Sequence, residues 1–205
     1  KNSNIIFNNF EDLQDLKIQY NNVSGDQDQN SPHSVSLSGS YLKKGYQEVV
    51  IPSLLPRLND GSFYDISITA KDLAGNESDP FILSNILYDI TKPIIQNIFP
   101  INGKYVNSTD ILLKTNEDLI KLDINWLSSN NKNLISTKDS IKIGENTIKS
   151  IDRDFLVDGE IYSLIMEGTD KAGNKSDSLL IKNIHFDKTS PEFLINNPKS
   201  NEYIS

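Results

Sequence analysis

One stretch of this 205-residue chain is written twice. Asp60-Gly61-Ser62-Phe63-Tyr64-Asp65-Ile66 matches Asp158-Gly159-Glu160-Ile161-Tyr162-Ser163-Leu164. Asp72-Leu73-Ala74-Gly75-Asn76-Glu77-Ser78-Asp79 matches Asp170-Lys171-Ala172-Gly173-Asn174-Lys175-Ser176-Asp177, and Tyr88-Asp89-Ile90-Thr91-Lys92-Pro93 matches Phe186-Asp187-Lys188-Thr189-Ser190-Pro191. Every pair is offset by 98 residues, and no gap is needed from Leu58 to Pro93. Nearer the start, Leu16, Ile18 and Tyr20 fall on Leu122, Ile124 and Trp126 at an offset of 106, so the first copy carries about eight extra residues between Tyr20 and Leu58. A period near 100 is that of a whole domain, far longer than the roughly 20–50 residues of a solenoid unit.

The repeat predicts the organisation. The first copy spans residues 1–89 and the second 90–187; residues 188–205 begin a third. Lys1 aligns near Val106, so the first copy is expected to lack its first strand, while 188–205 supply a spare one, either because the sequence is an arbitrary cut from a longer array or because the ends exchange strands.

Within a copy the apolar pattern has period two. Leu122, Ile124 and Trp126 alternate with Asp123 and Asn125, and Tyr64, Ile66, Ile68 and Ala70 alternate with Asp65, Ser67 and Thr69. Such alternation buries one face of an antiparallel sheet and wets the other. Trp126 and Tyr20 occupy equivalent strand positions, which marks them as core aromatics. Asp-x-Ala-Gly-Asn reads as a turn: Asp72 accepts backbone N–H groups, Gly75 takes positive φ, and Asn76 tolerates the left-handed region. Leu-x-Asp-Gly-x-x-Tyr (58–64 and 156–162) reads as a tyrosine corner, its hydroxyl folded back on the preceding connection.

Taken in order, Tyr-x-Ile-x-Ile-x-Ala-x-Asp-x-Ala-Gly-Asn-x-Ser followed by Tyr/Phe-Asp-x-Thr-x-Pro resembles the bacterial Ig-like repeats of large surface and secreted adhesin-type proteins. These are relatives in shape of fibronectin type III domains. The resemblance covers nearly the whole chain. It implies an all-β fold of tandem immunoglobulin-like antiparallel β-sandwiches, and a life outside the cell or on the bacterial surface. It implies no particular function, because such repeats serve as stalks, spacers and adhesive modules.

Composition narrows the function classes. A net charge of -8 without a basic stripe argues against nucleic acid as a partner. No apolar run approaches the roughly 20 residues that span a bilayer. With no Cys, stability rests on apolar cores, and 37% hydrophobic residues suffice for small ones. The two histidines, His33 and His185, have no repeated partner, and neither a nucleophile elbow nor a phosphate loop is present; the chain reads as no enzyme and as needing no organic cofactor.

Calcium is the one ion the acidic residues suggest. Asp26, Asp28 and Asn30 offer oxygens at alternate positions, as a calcium loop begins, but Ser31 stands where its Gly belongs and Leu37 where its Glu belongs. A solvated loop tip explains that stretch better. A second candidate lies at the domain ends, where Asp72 or Asp170 could approach Asp89 or Asp187.

Between copies, Asp89 or Asp187 is followed within four residues by Pro93 or Pro191, with no Gly/Ser spacer. Proline restricts itself and its predecessor to extended backbone, which favours a stiff array over jointed beads. Each copy would add roughly 40 Å to a rod. The leading expectation is a spacer or stalk whose partners are neighbouring repeats of the same or an adjacent chain. One alternative is an adhesive module that takes a glycan or protein ligand through the polar stretch Asn21–Ser40 of the first copy. Another is a filament subunit, in which the spare strand at 188–205 completes the next molecule's open sandwich.

Overall fold

The computed structural model describes residues 4–50, 58–130, 132–151 and 156–194. It divides into two compact units, the first holding Lys1–Lys92 and the second beginning at Pro93. Of the expected third copy, residues 188–194 carry no strand, and 195–205 lie outside the described residues.

The first unit contains β1 (Asn4–Asn9), β2 (Leu13–Gly25), β3 (His33–Leu37), β4 (Gly45–Val50), β5 (Ser62–Asp72) and β6 (Phe81–Tyr88). β1 pairs with β4, and the second sheet has the order β3-β2-β5-β6; all pairings are antiparallel. The only helical element described in the chain is one 3-10 turn, Gly39–Leu42. No described helix is long and apolar enough to cross a membrane.

The second unit contains β7 (Ile95–Phe99), β8 (Tyr105–Val106), β9 (Asp110–Thr115), β10 (Leu119–Ser128), β11 (Asn133–Ile141), β12 (Gly144–Lys149), β13 (Ile161–Asp170) and β14 (Leu179–Phe186). Its sheets are β12-β9-β7 and β11-β10-β13-β14-β8, the last pairing parallel. β9 to β14 repeat β1 to β6 in order and in pairing. Among the described residues, β7 and β8 have no counterpart in the first unit.

The period-two pattern accounts for both cores. In the second unit the inward faces of β10 (Leu122, Ile124, Trp126) and β13 (Tyr162, Leu164, Met166) are sealed from water and meet Ile111, Leu113 and Ile148 of the facing sheet. In the first, Leu16, Ile18 and Tyr20 of β2 and Tyr64 and Ile66 of β5 meet Ile5 and Val49. The expected core aromatics are core aromatics. Trp126 donates its Nε1 proton to Ser150 Oγ at 2.9 Å and stands edge-on to Tyr162, centroids 6.2 Å apart. Burial raises the Tyr20 phenol to a pKa of about 12, because the interior disfavours its anion.

Matching elements locates the extra residues of the first copy. Tyr20 matches Trp126 at an offset of 106, but Gly45, opening β4, matches Gly144 at 99. The register of β3 on β2 and of β11 on β10 matches His33 to Leu134 at 101, so five of the extra residues lie in the C-terminal half of β2 and the loop to β3, and two more between β3 and β4. Both units also carry a bulge not expected from the sequence. Asn85 in β6 and Asn183 in β14, again 98 apart, sit at φ of 60° and 57° beside register shifts against β5 and β13. Asn tolerates this region better than other non-glycine residues.

Replacing Trp126 by Ala should cost about 3–5 kcal/mol, because it empties the largest site in the second core and leaves Ser150 without its donor. Denaturant unfolding followed by far-ultraviolet circular dichroism checks this; a loss below about 1 kcal/mol would contradict the core assignment.

Candidate functional site

Three local devices recur in both units, and one belongs to the first alone. The first recurrent device is the tyrosine corner. Tyr64 Oη accepts the Asn59 N–H at 2.9 Å, and Tyr162 Oη accepts the Val157 N–H at 2.8 Å, five residues upstream each time. The second is the turn after β5 and β13. Asp72 Oδ1 accepts the N–H groups of Ala74 and Asn76, both at 2.8 Å, and its Oδ2 accepts the Asn76 side-chain amide. Those bonds, led by the Asn76 amide, hold the Asp72 carboxyl below its usual pKa. Gly75 and Gly173 supply the positive φ, 91° and 96°. Asn76 is not in the left-handed region; it contributes its side chain. Ser78 and Ser176 then close each turn by accepting the N–H of Ala70 and Gly168 on Oγ.

The third device fixes the exit of each unit. Asp60, two residues past Leu58 in the corner motif, accepts the Ile90 N–H at 2.7 Å on Oδ1 and the Thr91 hydroxyl on Oδ2. Asp158 accepts the Lys188 N–H at 2.6 Å and the Thr189 hydroxyl at 2.5 Å in the same way. Asp89 and Asp187 add an Asx turn, each Oδ1 accepting the N–H of Thr91 or Thr189 at 3.0 or 2.9 Å. Gly61 and Gly159 donate to the carbonyls of Tyr88 and Phe186, closing the loop at 2.9 and 2.8 Å. The threonine hydroxyl and the backbone N–H hold the carboxyls of Asp60 and Asp158 below their ordinary range.

The device confined to the first unit is the inserted loop. Asn22 organises it, donating its amide to the carbonyls of Ser24 and Phe63 and accepting the Asp28 N–H. Asp28 turns inward and is 8% exposed. Its Oδ2 lies 2.5 Å from Tyr64 Oη and 2.6 Å from His33 Nε2, while Oδ1 accepts the Asn30 N–H at 3.0 Å. An ionised carboxylate has no proton to give, so tyrosine and histidine both donate to it. Burial opposes this charge, but the Tyr64 and His33 bonds outweigh it and the Asp28 pKa is lowered. The same Tyr64 hydroxyl thus serves the corner as acceptor and the loop as donor. In the second unit Tyr162 donates instead to Glu160, at 3.2 Å.

Of the acidic residues suggested for calcium, Asp28 is spent on Tyr64 and His33, whereas Asn30 is exposed. Asp26 is exposed and uses its backbone carbonyl to accept the Ser62 hydroxyl at 2.6 Å. Asp72, Asp89 and Asp187 hold turns, and Asp170 is buried at the end of β13, where its backbone pairs with Leu119. Sequence reasoning missed His33 as a partner of Asp28, and it missed Asp60 and Asp158 as clamps. The second omission was avoidable, because the Asp-Gly pair and the Asp-x-Thr exit recur together at the same offset.

Two facing antiparallel-dominated sheets, a tyrosine corner and this strand order define an immunoglobulin-like β-sandwich. Residues 10–81, within the first unit, match the family described as Bacterial Ig-like domain (group 3). No curated protein matches the chain. Among solved structures it is similar to a chain from "Structural basis of neurohormone perception by the receptor tyrosine kinase Torso". That likeness has 14% identity, covers 90% of this chain and 70% of that one, and has a TM-score of 0.26, too low to support an argument.

Asp28→Ala should destabilise the first unit by about 2–4 kcal/mol, since it strands the buried Tyr64 hydroxyl and His33 ring. Because the Asp28 pKa is lowered on folding, its contribution is complete above the unfolded value near 3.9 and is lost as pH falls through the lower folded value. Acid titrations of the two proteins should therefore converge at low pH; parallel curves would argue against an ionised Asp28.

Proposed function

We propose that this chain is a spacer or stalk segment of a bacterial cell-surface or secreted fibrous protein, its Ig-like units set end to end as a stiff array. The observation that carries this reading is the exit clamp, repeated in both units. A flexible tether has no use for a carboxylate that fixes the backbone N–H and the threonine hydroxyl of the segment leaving each domain. Pro93 and Pro191 follow at once and restrict the chain further. The acidic surface suits an exposed, solvated module, and the recurrent polar devices serve turns and exits, so the reading is a non-catalytic one. A second reading, adhesion through the inserted loop, is favoured by one observation: that loop is pre-ordered by Asn22 and Asp28, which lowers the entropy cost of binding a glycan or protein.

Small-angle scattering of the chain tests the leading reading. A narrow distribution of maximum dimensions is expected, widening in Asp60→Ala while the melting curve of the first unit stays nearly in place. Broad dimensions in the unaltered chain would refute a stiff spacer. Since the Asp60 and Asp158 pKa values are both lowered, the clamps hold fully above the ordinary carboxyl value and release only as pH falls through their lower folded values. The widening should therefore also appear in the unaltered chain in acid.

A further inference from the structure

We infer that the outer face of the five-stranded sheet in the second unit is a self-association surface, and that its occupant is the same face of a second copy of this chain. This goes beyond the spacer reading, which concerns the exit of each unit, and does not depend on it.

Register places four residues in one row across this face. Ile135 of β11, Asn125 of β10, Ile165 of β13 and Leu180 of β14 lie opposite one another, and all four alternate with buried core residues, so their side chains point outward. Ile135 is 70% exposed and Leu180 is 44% exposed. Leu127, two residues along β10, points the same way. Beyond it, Tyr105 stacks on His185 with ring centroids 4.5 Å apart, and Ile161 lies opposite that histidine. The first unit supplies the comparison. Its same row is Ser34, Gln19, Ser67 and Ile82, and Asn21 stands where the second unit has Leu127. A sheet face that meets only solvent is normally polar, as that row largely is. The fold therefore does not require the isoleucines of the second unit, and a contiguous exposed apolar patch of this kind marks an interaction site.

Two features select a second copy as the occupant. The first is charge. Asp123 and Glu167 lie opposite each other beside the row, and each is paired with a lysine, Lys121 at 2.7 Å and Lys175 at 2.6 Å. This end of the face is thus neutral although the chain carries a net charge of -8, so identical faces meet here without net repulsion, and a strongly charged partner gains nothing. The second feature is the centre of the row. Asn125 Oδ1 is shielded from water and has no hydrogen-bond partner. A carboxamide carries donor and acceptor on one group, and its terminal torsion is soft. Facing sheets pack about 10 Å apart, which leaves room for an amide from each side and a hydrogen bond between them. Two Asn125 amides across a twofold axis therefore satisfy each other, in the isologous arrangement commonest among dimers. The area sets the strength. A patch of roughly 300–600 Å² is less than the roughly 800 Å² that each partner gives in a stable complex, so the pairing is weak.

Sedimentation equilibrium of the unaltered chain should show monomer and dimer exchanging at protein concentrations of roughly 0.1–1 mM. Ile135→Ser combined with Ile165→Ser, which copies the first unit's row, should raise the concentration of half-dimerisation at least about tenfold while leaving the circular dichroism spectrum unchanged. The chain has no native cysteine, so engineered thiols report without background. Asn125→Cys treated with a short bis-maleimide should give at least about tenfold more cross-linked dimer than Gln19→Cys, because only thiols held face to face share a high effective concentration. The two positions are equivalent in the repeat and both are half-buried, so reactivity alone does not separate them. A dimer indifferent to the serine pair, or equal cross-linking of the two thiols, would overturn the inference. So would a chain that stays monomeric throughout that range, whether or not the face then binds an added neutral oligosaccharide. Neither result bears on the spacer reading, which fails on scattering of dilute monomer instead.

Discussion

The seam between β10 and β13 is the constraint from which the rest of the second unit follows. Trp126 lies opposite Leu164 and Ile124 opposite Met166, and all four are fully enclosed. Two neighbouring strands that each hide every second residue fix the sheet's inner face, and a one-residue slip of either would expose that whole set. β11 and β14 can then only flank the pair, and β9 and β12 can only close over it. β2 and β5 repeat the seam, with Ile18 opposite Ile68 and Tyr20 opposite Ile66, but there it is only partly roofed. The same patterning thus underlies both cores, and among the described residues only the second has β7 and β8 beside it.

That contrast explains how far the sequence could be read. The repeat, the alternating strands, the corner and the turn are all local or periodic signals, so spacing alone revealed them. Trp126 and Tyr20 were legible as core because equivalent positions carried equivalent chemistry. The role of Asp28 was not legible. Its partners His33 and Tyr64 lie 5 and 36 residues away, and the carboxylate's direction is set by a loop with no counterpart in the second copy. Alternating oxygens suggested a cation site; the fold turns the central one inward, where a phenol and an imidazole occupy it. Ile86 and Ile184 have matching sequence surroundings, but among the described residues only β14 has β8 beside it, and Ile86 is exposed where Ile184 is buried. Asn85 and Asn183 stand between these cases. The repeat displayed both, but the need for positive φ arises from a bulge that forms only when the strands pair.

The segment Leu58–Tyr64 shows how few residues link core to exit. Leu58 is buried in the first core. Tyr64 anchors the same loop from the strand side by accepting the Asn59 N–H, and Gly61 at φ 74° aims its own N–H at Tyr88, the last residue of β6. With the loop held at three points, Asp60 is placed where Ile90 and Thr91 leave the domain. The clamp is thus not an independent surface bond. An exposed carboxylate hydrogen bond is weak when its side chain must be ordered for the purpose. Here the ordering cost is already met by the corner, so the bond can act fully on the chain that departs. The second unit builds the same arrangement from Leu156, Gly159, Tyr162 and Asp158, with Lys188 and Thr189 as the departing residues. Since the corner belongs to the core and the clamp to the exit, loosening the core would loosen the clamp, whereas cutting the clamp alone would free the departing segment and spare the fold.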